Sequence, residues 1–584
     1  MCGITLCLRR ANSFSSELLS DSPEWAKLME NNKARGPDVQ SREDITISFE
    51  DDPKSKLSIS FVASTLHLRG PKPVAQPHMS DKYVLCWNGE VFEGLEFPGD
   101  QNDGLVLFEA LKKLQEEEDI YSFMSSIEGP YAFALYQRDR RYLIFARDPL
   151  GRRSLLIHRP TPSQPYLLVS SASAGTQAPF GFEEVDPRYF YCLDISRLGS
   201  FANNPAAFDE ALVLKERAAV TSSSAFKTLA RVNETIPIDP PMVSLSDPLP
   251  HELASAIDRF FEVLDQSVRI RVQNIPPPFI PGSCRLAVLF SGGIDSTMMA
   301  FLADRHVPPN EPIDLLNVAF QNPRKIRGAV QPSKKKVKKV KESILPLEED
   351  NDKTYNVPDR LGGLDELEEL RKLCPNRRWN FVEVNIAYEE SSQLRSTIED
   401  IMFPSRTVMD LSLALALYFA ARGIGQVRSS PGAEPQPYTS PARVLLNGLG
   451  SDELLGGYGR HRSAYNTGGW KPLIEELQLE LDRIPSRNLG RDDRVISCHG
   501  KETRHPFLSL SVVEFVANLP VHLKMDGRLE IGLGDKLLLR LLSLKQGLEL
   551  AAKRKKRAMQ FGSHSARMEI GTGEKDGDKL LSAD

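Results

Sequence analysis

Cysteine is scarce in this sequence and lacks the paired spacing of disulfide scaffolds and metal sites. The seven cysteines, an odd number, stand at positions 2, 7, 86, 192, 284, 374 and 498. This scatter suggests neither a disulfide-stapled fold nor a zinc site. We therefore expect a reducing, cytoplasmic setting.

Long apolar runs and an excess of one charge are also missing. The longest apolar run, around Leu411 to Ala421, is far shorter than the ~20 residues that span a membrane. The first residues lack the pattern of a secretory signal. With 73 basic and 78 acidic residues, nothing global indicates nucleic acid. We expect no membrane and no nucleic-acid partner.

A chain of 584 residues is too long for one hydrophobic core, so about two to four domains are expected. In residues 2–195 the apolar segments are short and strand-like, and charged residues 137–141 and the break at 149–151 predict two consecutive hairpins. Helical periodicity appears at Leu105 to Leu114. This half is predicted to be α+β with antiparallel sheets. A polar linker, 196–250, follows.

Residues 251–565 follow a different pattern. An amphipathic helix from Leu253 to Val268 precedes a buried strand, Arg285 to Phe290. Strand and helix candidates then alternate, which predicts a parallel sheet flanked by helices. Residues 322–356 form a lysine-rich insertion, which we interpret as a solvated loop, and 566–584 form a polar tail.

The start of the chain carries the first chemical signal. Removal of Met1 would leave Cys2 with its thiol and a free α-amine on one residue. An α-amine has a pKa of about 7.7–8.0, so it can serve as general base for the thiol without a histidine.

Five segments accompany Cys2 in an order that resembles the class II glutamine amidotransferases, the N-terminal-nucleophile family. They are 35–38, 87–90, 102–104, 128–134 and 146–152. The resemblance implies a glutaminase domain of stacked antiparallel sheets, with Cys2, Asn88 and Gly89 in catalysis. It also implies that Arg35, Asn88, Gly89 and Asp103 bind glutamine. The alternative interpretation is ordinary turn chemistry, since Asn-Gly and Gly-Pro are turn signals by themselves.

The chemistry of glutamine hydrolysis explains why these residue types would be needed. The Asn88 amide and the Gly89 backbone N–H would stabilise the oxyanion of a tetrahedral adduct, and Asp103 matches the partner of the glutamine ammonium. The family's carboxylate-binding arginine has no clear counterpart, because leucine stands nearest its position in the stretch Ala63 to Arg69. Either Arg69 substitutes, or glutamine binding is weakened.

A second signal, Ser291-Gly-Gly-Ile-Asp-Ser296, follows a buried strand and opens a helix. Successive backbone N–H groups at a helix start favour a phosphate. The Gly-Lys-Ser/Thr ending of a Walker loop is absent. The segment resembles the pyrophosphate loop of ATP-pyrophosphatases. The resemblance implies that Ser291, Gly292, Gly293 and Ser296 hold pyrophosphate and that Asp295 binds Mg²⁺.

The stretch Leu445 to Tyr458 resembles the glycine-rich motif of the asparagine synthetase family. The resemblance implies that Asp452 is a second Mg²⁺ ligand and that Gly450 and Ser451 line the adenylate pocket. With ATP, glutamine and aspartate or another carboxylic acid as substrates, the chain would be a glutamine-dependent amidotransferase.

Two positions depart from the synthetases. Leu449 stands where they have a glutamate that faces the ammonia, and Ala558 where they have a lysine, although Lys555 or Lys556 could reach the same phosphate. A second hypothesis therefore remains open: a binding or regulatory pseudoenzyme that keeps the fold, with or without nucleotide binding.

Overall fold

The computed structural model describes residues 2–11, 22–49, 56–115, 117–198, 206–217, 229–244, 248–278, 280–322, 354–568 and 578–581. In the first domain the strands are β1 (Gly3–Arg10), β2 (Val39–Ser48), β3 (Lys56–Thr65), β4 (His78–Met79), β5 (Tyr83–Gly89), β6 (Tyr131–Gln137), β7 (Tyr142–Arg147), β8 (Leu156–His158), β9 (Leu167–Ser170), β10 (Glu183–Glu184), β11 (Tyr189–Asp194) and β12 (Leu212–Glu216). The helices are α1 (Pro23–Arg35), α2 (Asp103–Leu111), α3 (Glu117–Ser126) and α4 (Ala206–Ala211).

These strands form two antiparallel sheets of six strands, ordered β10-β8-β9-β1-β3-β2 and β12-β11-β7-β6-β5-β4. Alternate side chains of both sheets, such as Leu6 and Ala134, share one buried core between them. Helix α1 covers the outer face of the first sheet, and α2 and α3 cover that of the second. The predicted α+β domain of stacked antiparallel sheets is confirmed.

One of the two predicted hairpins is wrong. Strands β6 and β7 pair across residues 137–141 as expected, but β7 and β8 lie in different sheets. The carboxylate of Asp148 accepts hydrogen bonds from the backbone N–H groups of Leu150 and Arg152 and from the Arg152 guanidinium. This buried turn carries the chain from one sheet to the other.

The N-terminal fold also continues past the predicted boundary at residue 195. Strand β12 pairs with β11, which extends the second sheet to Glu216. Farther along the predicted linker, Val232 and Val243 are buried in the core of the second domain. The described parts of 196–250 therefore belong to both domains. Strand β12 was missed because it is an edge strand with mostly exposed side chains.

The second domain contains β13 (Leu286–Leu289), β14 (Ile313–Phe320), β15 (Trp379–Ile386), β16 (Ile424–Val427), β17 (Gln436–Thr439), β18 (Val444–Leu446) and β19 (Glu502–Arg504). Its helices are α5 (His251–Val272), α6 (Ile294–Asp304), α7 (Pro358–Leu373), α8 (Tyr388–Met402), α9 (Val408–Arg422), α10 (Ser451–Leu455), α11 (Gly459–Gly468), α12 (Trp470–Arg487), α13 (Leu489–Ser497), α14 (Leu510–Asn518), α15 (Val521–Lys524), α16 (Leu537–Lys545), α17 (Glu549–Lys553) and α18 (Met559–Gly562).

The seven strands form one sheet in the order β17-β16-β15-β14-β13-β18-β19. Five neighbouring strands pair in parallel, in the order β15-β14-β13-β18-β19. Strands β16 and β17 add an antiparallel edge beside β15. All eight residues of β14 are buried because helices cover both faces. The predicted parallel sheet is confirmed, with an antiparallel hairpin that the sequence pattern did not indicate.

The strand order reverses beside β13. The chain moves from β13 to β14 and β15 on one side, whereas β18 and β19 lie on the other. Ligands of open α/β sheets bind at the carboxyl ends of the strands where the order reverses. Both glycine-rich segments predicted from the sequence follow the carboxyl ends of β13 and β18, so the fold brings them together.

Most of the predicted insertion, 322–356, lies outside the described residues, as does much of the predicted tail, 566–584. Within the tail, Leu581 donates its backbone N–H to the carbonyl oxygen of Arg406 over 2.8 Å. The carbonyl oxygen of Lys579 accepts from the N–H of Val408 over 2.9 Å. Residues 578–581 therefore pair with the chain that enters α9.

Candidate functional site

Cys2 lies at the start of β1, and only 8% of it is exposed. Its backbone nitrogen donates a hydrogen bond to Asn88 Oδ1 over 2.8 Å. If Met1 is removed, this nitrogen is the α-amine that the sequence argument requires. A Cβ added to Gly3 would lie 2.4 Å from the carbonyl oxygen of Asn32, so the position after Cys2 has no space for a side chain.

Asn88, near the end of β5, is fully buried. Since Oδ1 accepts from Cys2, the amide group Nδ2 is left to donate, and it has no hydrogen-bond partner among the described residues. An unpaired buried donor is costly and usually marks a function or a missing ligand. A side chain at Gly89 would contact Tyr131 Cβ at 2.6 Å. The structure thus brings Cys2, Asn88 and Gly89 together.

Burial raises the pKa of the Cys2 thiol, and the negative charges of Glu502 and Asp103 act in the same direction. Burial therefore favours the protonated thiol. A nucleophile in this state needs a base that takes its proton during attack.

Asp103, the first residue of α2, is buried, and its Oδ2 accepts from the backbone N–H of Val91 over 2.8 Å. Arg69 is also buried, and its Nε lies 2.7 Å from Glu90 Oε2. Because Arg69 is paired with Glu90, both alternatives from the sequence remain open. Either Arg69 binds the glutamine carboxylate in place of the family's arginine, or glutamine binding is weakened.

Arg35 connects the two domains. Its Nε donates to the carbonyl oxygen of Cys2 over 3.3 Å, and its Nη2 to Asp493 Oδ2 over 2.7 Å. Arg153 Nη2 donates to Glu502 Oε2 over 2.7 Å, and its Nη1 lies 3.5 Å from Asp493 Oδ1. All these side chains are buried. The role of Arg35 in glutamine binding stays a prediction. The structure shows in addition that Arg35 links Cys2 to α13.

The predicted pyrophosphate loop lies between β13 and α6. Gly292 has a φ of +71°, and a Cβ added there would lie 2.3 Å from the Gly363 nitrogen of α7. Only glycine fits both conditions. Ser296 Oγ donates to the carbonyl oxygen of Gly293 over 3.1 Å, and Ser291 Oγ accepts from the Gly293 N–H over 3.3 Å. The loop is therefore fixed by its own hydroxyl groups and by α7.

The two carboxylates predicted to bind Mg²⁺ meet at a lysine. Lys536 Nζ lies 2.6 Å from Asp295 Oδ2 and 2.7 Å from Asp452 Oδ1, and it donates to Ser451 Oγ over 3.0 Å. Lys556 also pairs with Asp452. Burial acts to raise the pKa of Asp452, but the ammonium groups of Lys536 and Lys556 hold it well below its usual value.

No cluster of three or more histidine, cysteine, aspartate or glutamate side chains suited to a metal occurs in the described part of the chain. Mg²⁺ is commonly held by one or two carboxylates together with substrate phosphates and water. The pair of Asp295 and Asp452 fits that requirement beside the phosphate-type loop.

Gly450 and Ser451 also lie at this edge. Gly450 has a φ of +101°, and an added Cβ would lie 2.4 Å from Leu508 Cδ2. Two adjoining cavities open here. We call the one beside Ser291 and Asp295 the loop cavity, with a volume of about 140 Å³. The other, the acceptor cavity, has about 680 Å³ and shares with it Asn447, Leu449, Asp452, Lys556 and Met559.

Comparison with known proteins matches both domains. The model of the glutamine amidotransferase domain family matches residues 63–175, and the asparagine synthase family model matches residues 463–583. Asparagine synthetase domain-containing protein 1 of Bos taurus is 35% identical to this chain, over 99% of the chain and 98% of its own length. The human protein of that name is also 35% identical, over 97% and 96%. The chain belongs to the asparagine synthetase domain-containing family.

Similarity to synthetases themselves is lower. A putative glutamine-hydrolysing asparagine synthetase of Methanocaldococcus jannaschii is 22% identical over 78% of this chain and 68% of its own length. In this member of the asparagine synthetase domain-containing family, Leu449 lines both cavities and Ala558 lines the acceptor cavity. Both departures from the synthetase pattern therefore lie on the wall of the acceptor cavity.

Some residues of the two sites were not predicted, because the fold brings them from distant parts of the sequence. Lys536 stands in no recognisable motif, yet it holds Asp295 and Asp452 together. Asp493 lies in the charged stretch Arg491 to Arg494, and its pairing with Arg153 needs two domains in contact. Across the described residues of this family member, no helix has the length and apolar character to cross a membrane.

Proposed function

We propose that the chain is a glutamine-dependent amidotransferase, in which Cys2 releases ammonia from glutamine and the second domain joins it to an adenylated carboxylic acid. In the simplest case aspartate and ATP give asparagine, AMP and pyrophosphate. The observation that carries the proposal is the contact of the Cys2 nitrogen with Asn88 Oδ1, which leaves Asn88 Nδ2 buried and unpaired among the described residues.

In the first half-reaction, the Cys2 sulfur attacks the amide carbon of glutamine while the α-amine takes the thiol proton. Asn88 Nδ2 and the Gly89 N–H donate to the oxyanion. The α-amine then returns the proton to the leaving nitrogen, ammonia departs, and a thioester on Cys2 is hydrolysed to glutamate. Asp103 holds the substrate ammonium, helped by its burial and its fixed orientation.

In the second domain, Ser291, Gly292, Gly293 and Ser296 would hold the pyrophosphate portion of ATP, and Asp295 and Asp452 would hold Mg²⁺. When bound, MgATP would supply the adenylyl group for an acyl adenylate, with pyrophosphate as the leaving group. Gly450 and Ser451 border the adenylate. Lys536 and Lys556 place positive charge beside Asp452, where the negative charge of the departing pyrophosphate collects.

A second candidate function is a nucleotide-binding or regulatory protein without synthetase activity. Leu449 favours it, because leucine offers no carboxylate at the junction of the two cavities.

One experiment separates the candidates. Glutamate release from glutamine is measured on purified protein, with and without ATP and aspartate, beside a Cys2→Ala variant. Release that requires Cys2 supports the amidotransferase. No release from protein whose Met1 is verifiably removed would contradict it.

A further inference from the structure

The acceptor cavity differs from what an aspartate site needs. We propose that it accepts a monocarboxylic acid longer than aspartate, whose hydrocarbon body packs against α9. This inference rests on the proposed function, because it names the class of acid that the second domain adenylates.

Size is the first argument. The acceptor cavity has about 680 Å³ against about 140 Å³ for the loop cavity. Cavities of about 300–1,000 Å³ enclose ligands of drug size. Aspartate would leave most of this space to water, whereas a longer acid would fill it.

The wall formed by α9 is the second argument. Met409, Leu413 and Leu417 recur every four residues, so they lie on one face of the helix, and all three line the cavity. Met409 is 36% exposed. When a hydrocarbon chain displaces water from such an apolar stripe, the buried apolar surface makes the free energy of binding more favourable.

The charges around the cavity are the third argument, since they already pair with one another. Arg491 pairs with Asp410 and Asp492. Lys556 pairs with Asp452.

On the opposite wall, Arg483 and Arg487 of α12 both pair with the buried Glu480. Asp578, which also lines the cavity, is exposed. Aspartate brings an α-carboxylate and an α-ammonium in addition to the reacting group. The α-carboxylate would have to compete with an existing ion pair, because the arginine and lysine side chains that line the cavity are already paired with carboxylates. A monocarboxylic acid brings only the group that reacts.

Leu449 completes the argument at the junction of the two cavities. It lines both of them, and its backbone N–H donates to Asn447 Oδ1 over 3.1 Å. A leucine here presents hydrocarbon where the acid crosses from its binding wall to the phosphate loop. This suits an acid whose carbons continue directly behind the carboxylate.

The test is acid-dependent ATP–pyrophosphate exchange by the full-length protein, with aspartate, butanoate, hexanoate and octanoate as probes. In exchange, a carboxylate oxygen attacks the α-phosphorus, the bond to the β-phosphate breaks, and pyrophosphate leaves and returns. Each buried methylene is worth a factor of about four, so two should raise kcat/KM about 15-fold. Binding of the same acids without ATP is measured by calorimetry and should follow the same order.

Leu413→Trp tests the location, because a bulky ring would fill the space beside α9. It should lower exchange with octanoate about tenfold more than it lowers exchange with butanoate. Leu479→Trp is the matched control, since Leu479 is an exposed leucine of α12 that does not line the cavity. Glutamine hydrolysis at Cys2 and the melting temperature report whether each variant folds.

The outcomes are distinct. Exchange with aspartate that equals or exceeds exchange with octanoate overturns the inference and leaves adenylation intact. If no acid binds or supports exchange, both the inference and the adenylating half of the proposed function fail. Equal loss in Leu413→Trp and Leu479→Trp overturns the assignment to α9.

Discussion

Asn88 and Lys536 each lie beside the residues that would do the chemistry in one of the two sites, yet their surroundings differ. Asn88 Nδ2 is a buried donor without a partner among the described residues, and burial raises the pKa of the Cys2 thiol. Lys536, by contrast, is paired with Asp295 and Asp452. The first site already presents a donor to its substrate, whereas substrates of the second must rearrange existing ion pairs.

This difference predicts that the glutaminase site is sensitive to loss of single groups that face the substrate. Variants in the second site should have smaller effects, because the remaining charges can pair again. The following changes test the contrast from the largest expected effect to the smallest.

Cys2→Ala should abolish glutamine hydrolysis, since no other thiol can take over the attack from the start of β1. The ammonia-driven reaction of the second domain should be unaffected. Glutamate release and product formation from ammonium chloride measure the two. Cys498→Ala, at a partly exposed cysteine, is the matched control and should keep both activities. Hydrolysis that survives Cys2→Ala would remove Cys2 from the mechanism.

Asn88→Ala should lower kcat of glutamine hydrolysis by about 10²- to 10³-fold, the usual cost of removing one oxyanion donor. KM should change less, because the donor acts mainly on the transition state. Steady-state kinetics over a range of glutamine concentrations separates the two constants. Asn466→Ala, at an exposed asparagine of α11, should change neither. A proportional rise in KM with unchanged kcat would argue for ground-state binding instead.

Asp493→Asn should destabilise the contact between the domains by about 3–5 kcal/mol, because it leaves the buried Arg35 without its charge partner. Arg153 loses its contact with Asp493 but keeps Glu502. Burial acts to raise the pKa of Asp493, but Arg35 and Arg153 hold it below its usual value. The carboxylate therefore stabilises the folded protein fully above the ordinary aspartate pKa of about 3.9, and this contribution is lost as pH falls through the lower, folded value.

Chemical unfolding at several pH values tests this. The wild-type protein should lose its advantage over Asp493→Asn only at acidic pH below about 4. A constant difference down to strongly acid pH would show that the charge of Asp493 is not what stabilises the contact.

Asp295→Asn should weaken Mg²⁺-dependent ATP–pyrophosphate exchange by about 10- to 100-fold, the worth of an interaction with a charged group. The melting temperature should change little, because Lys536 keeps its second partner, Asp452. Exchange is measured over a range of magnesium concentrations. Asp304→Asn, at the other end of α6, is the control. Equal exchange by the two variants at equal stability would contradict the assignment of Asp295.

The sequence indicated much of this architecture because its signals are local. Short strand-like segments predicted the antiparallel sheets, the family resemblance implied their stacking, and the segment Ser291 to Ser296 after a buried strand predicted the phosphate loop. The partners of these residues are not local. Lys536 reaches Asp295 from a segment more than two hundred residues away, and only the closed fold brings them together. Strand β12 was not predicted because its apolar residues do not alternate with polar ones, and most of its side chains are exposed at the sheet edge.

Leu449→Glu should have the smallest and most informative effect. A general base in position contributes about 10²- to 10⁴-fold to a proton transfer. Only part of this should be recovered, because the new carboxylate must be desolvated beside Asp452 and among side chains that pack against leucine. Formation of asparagine from aspartate, ATP and ammonia should therefore rise about tenfold at most. Leu449→Gln has nearly the same shape without the charge and should give no rise. An equal rise in both variants would mean that size at this junction, and not a missing base, limits amination.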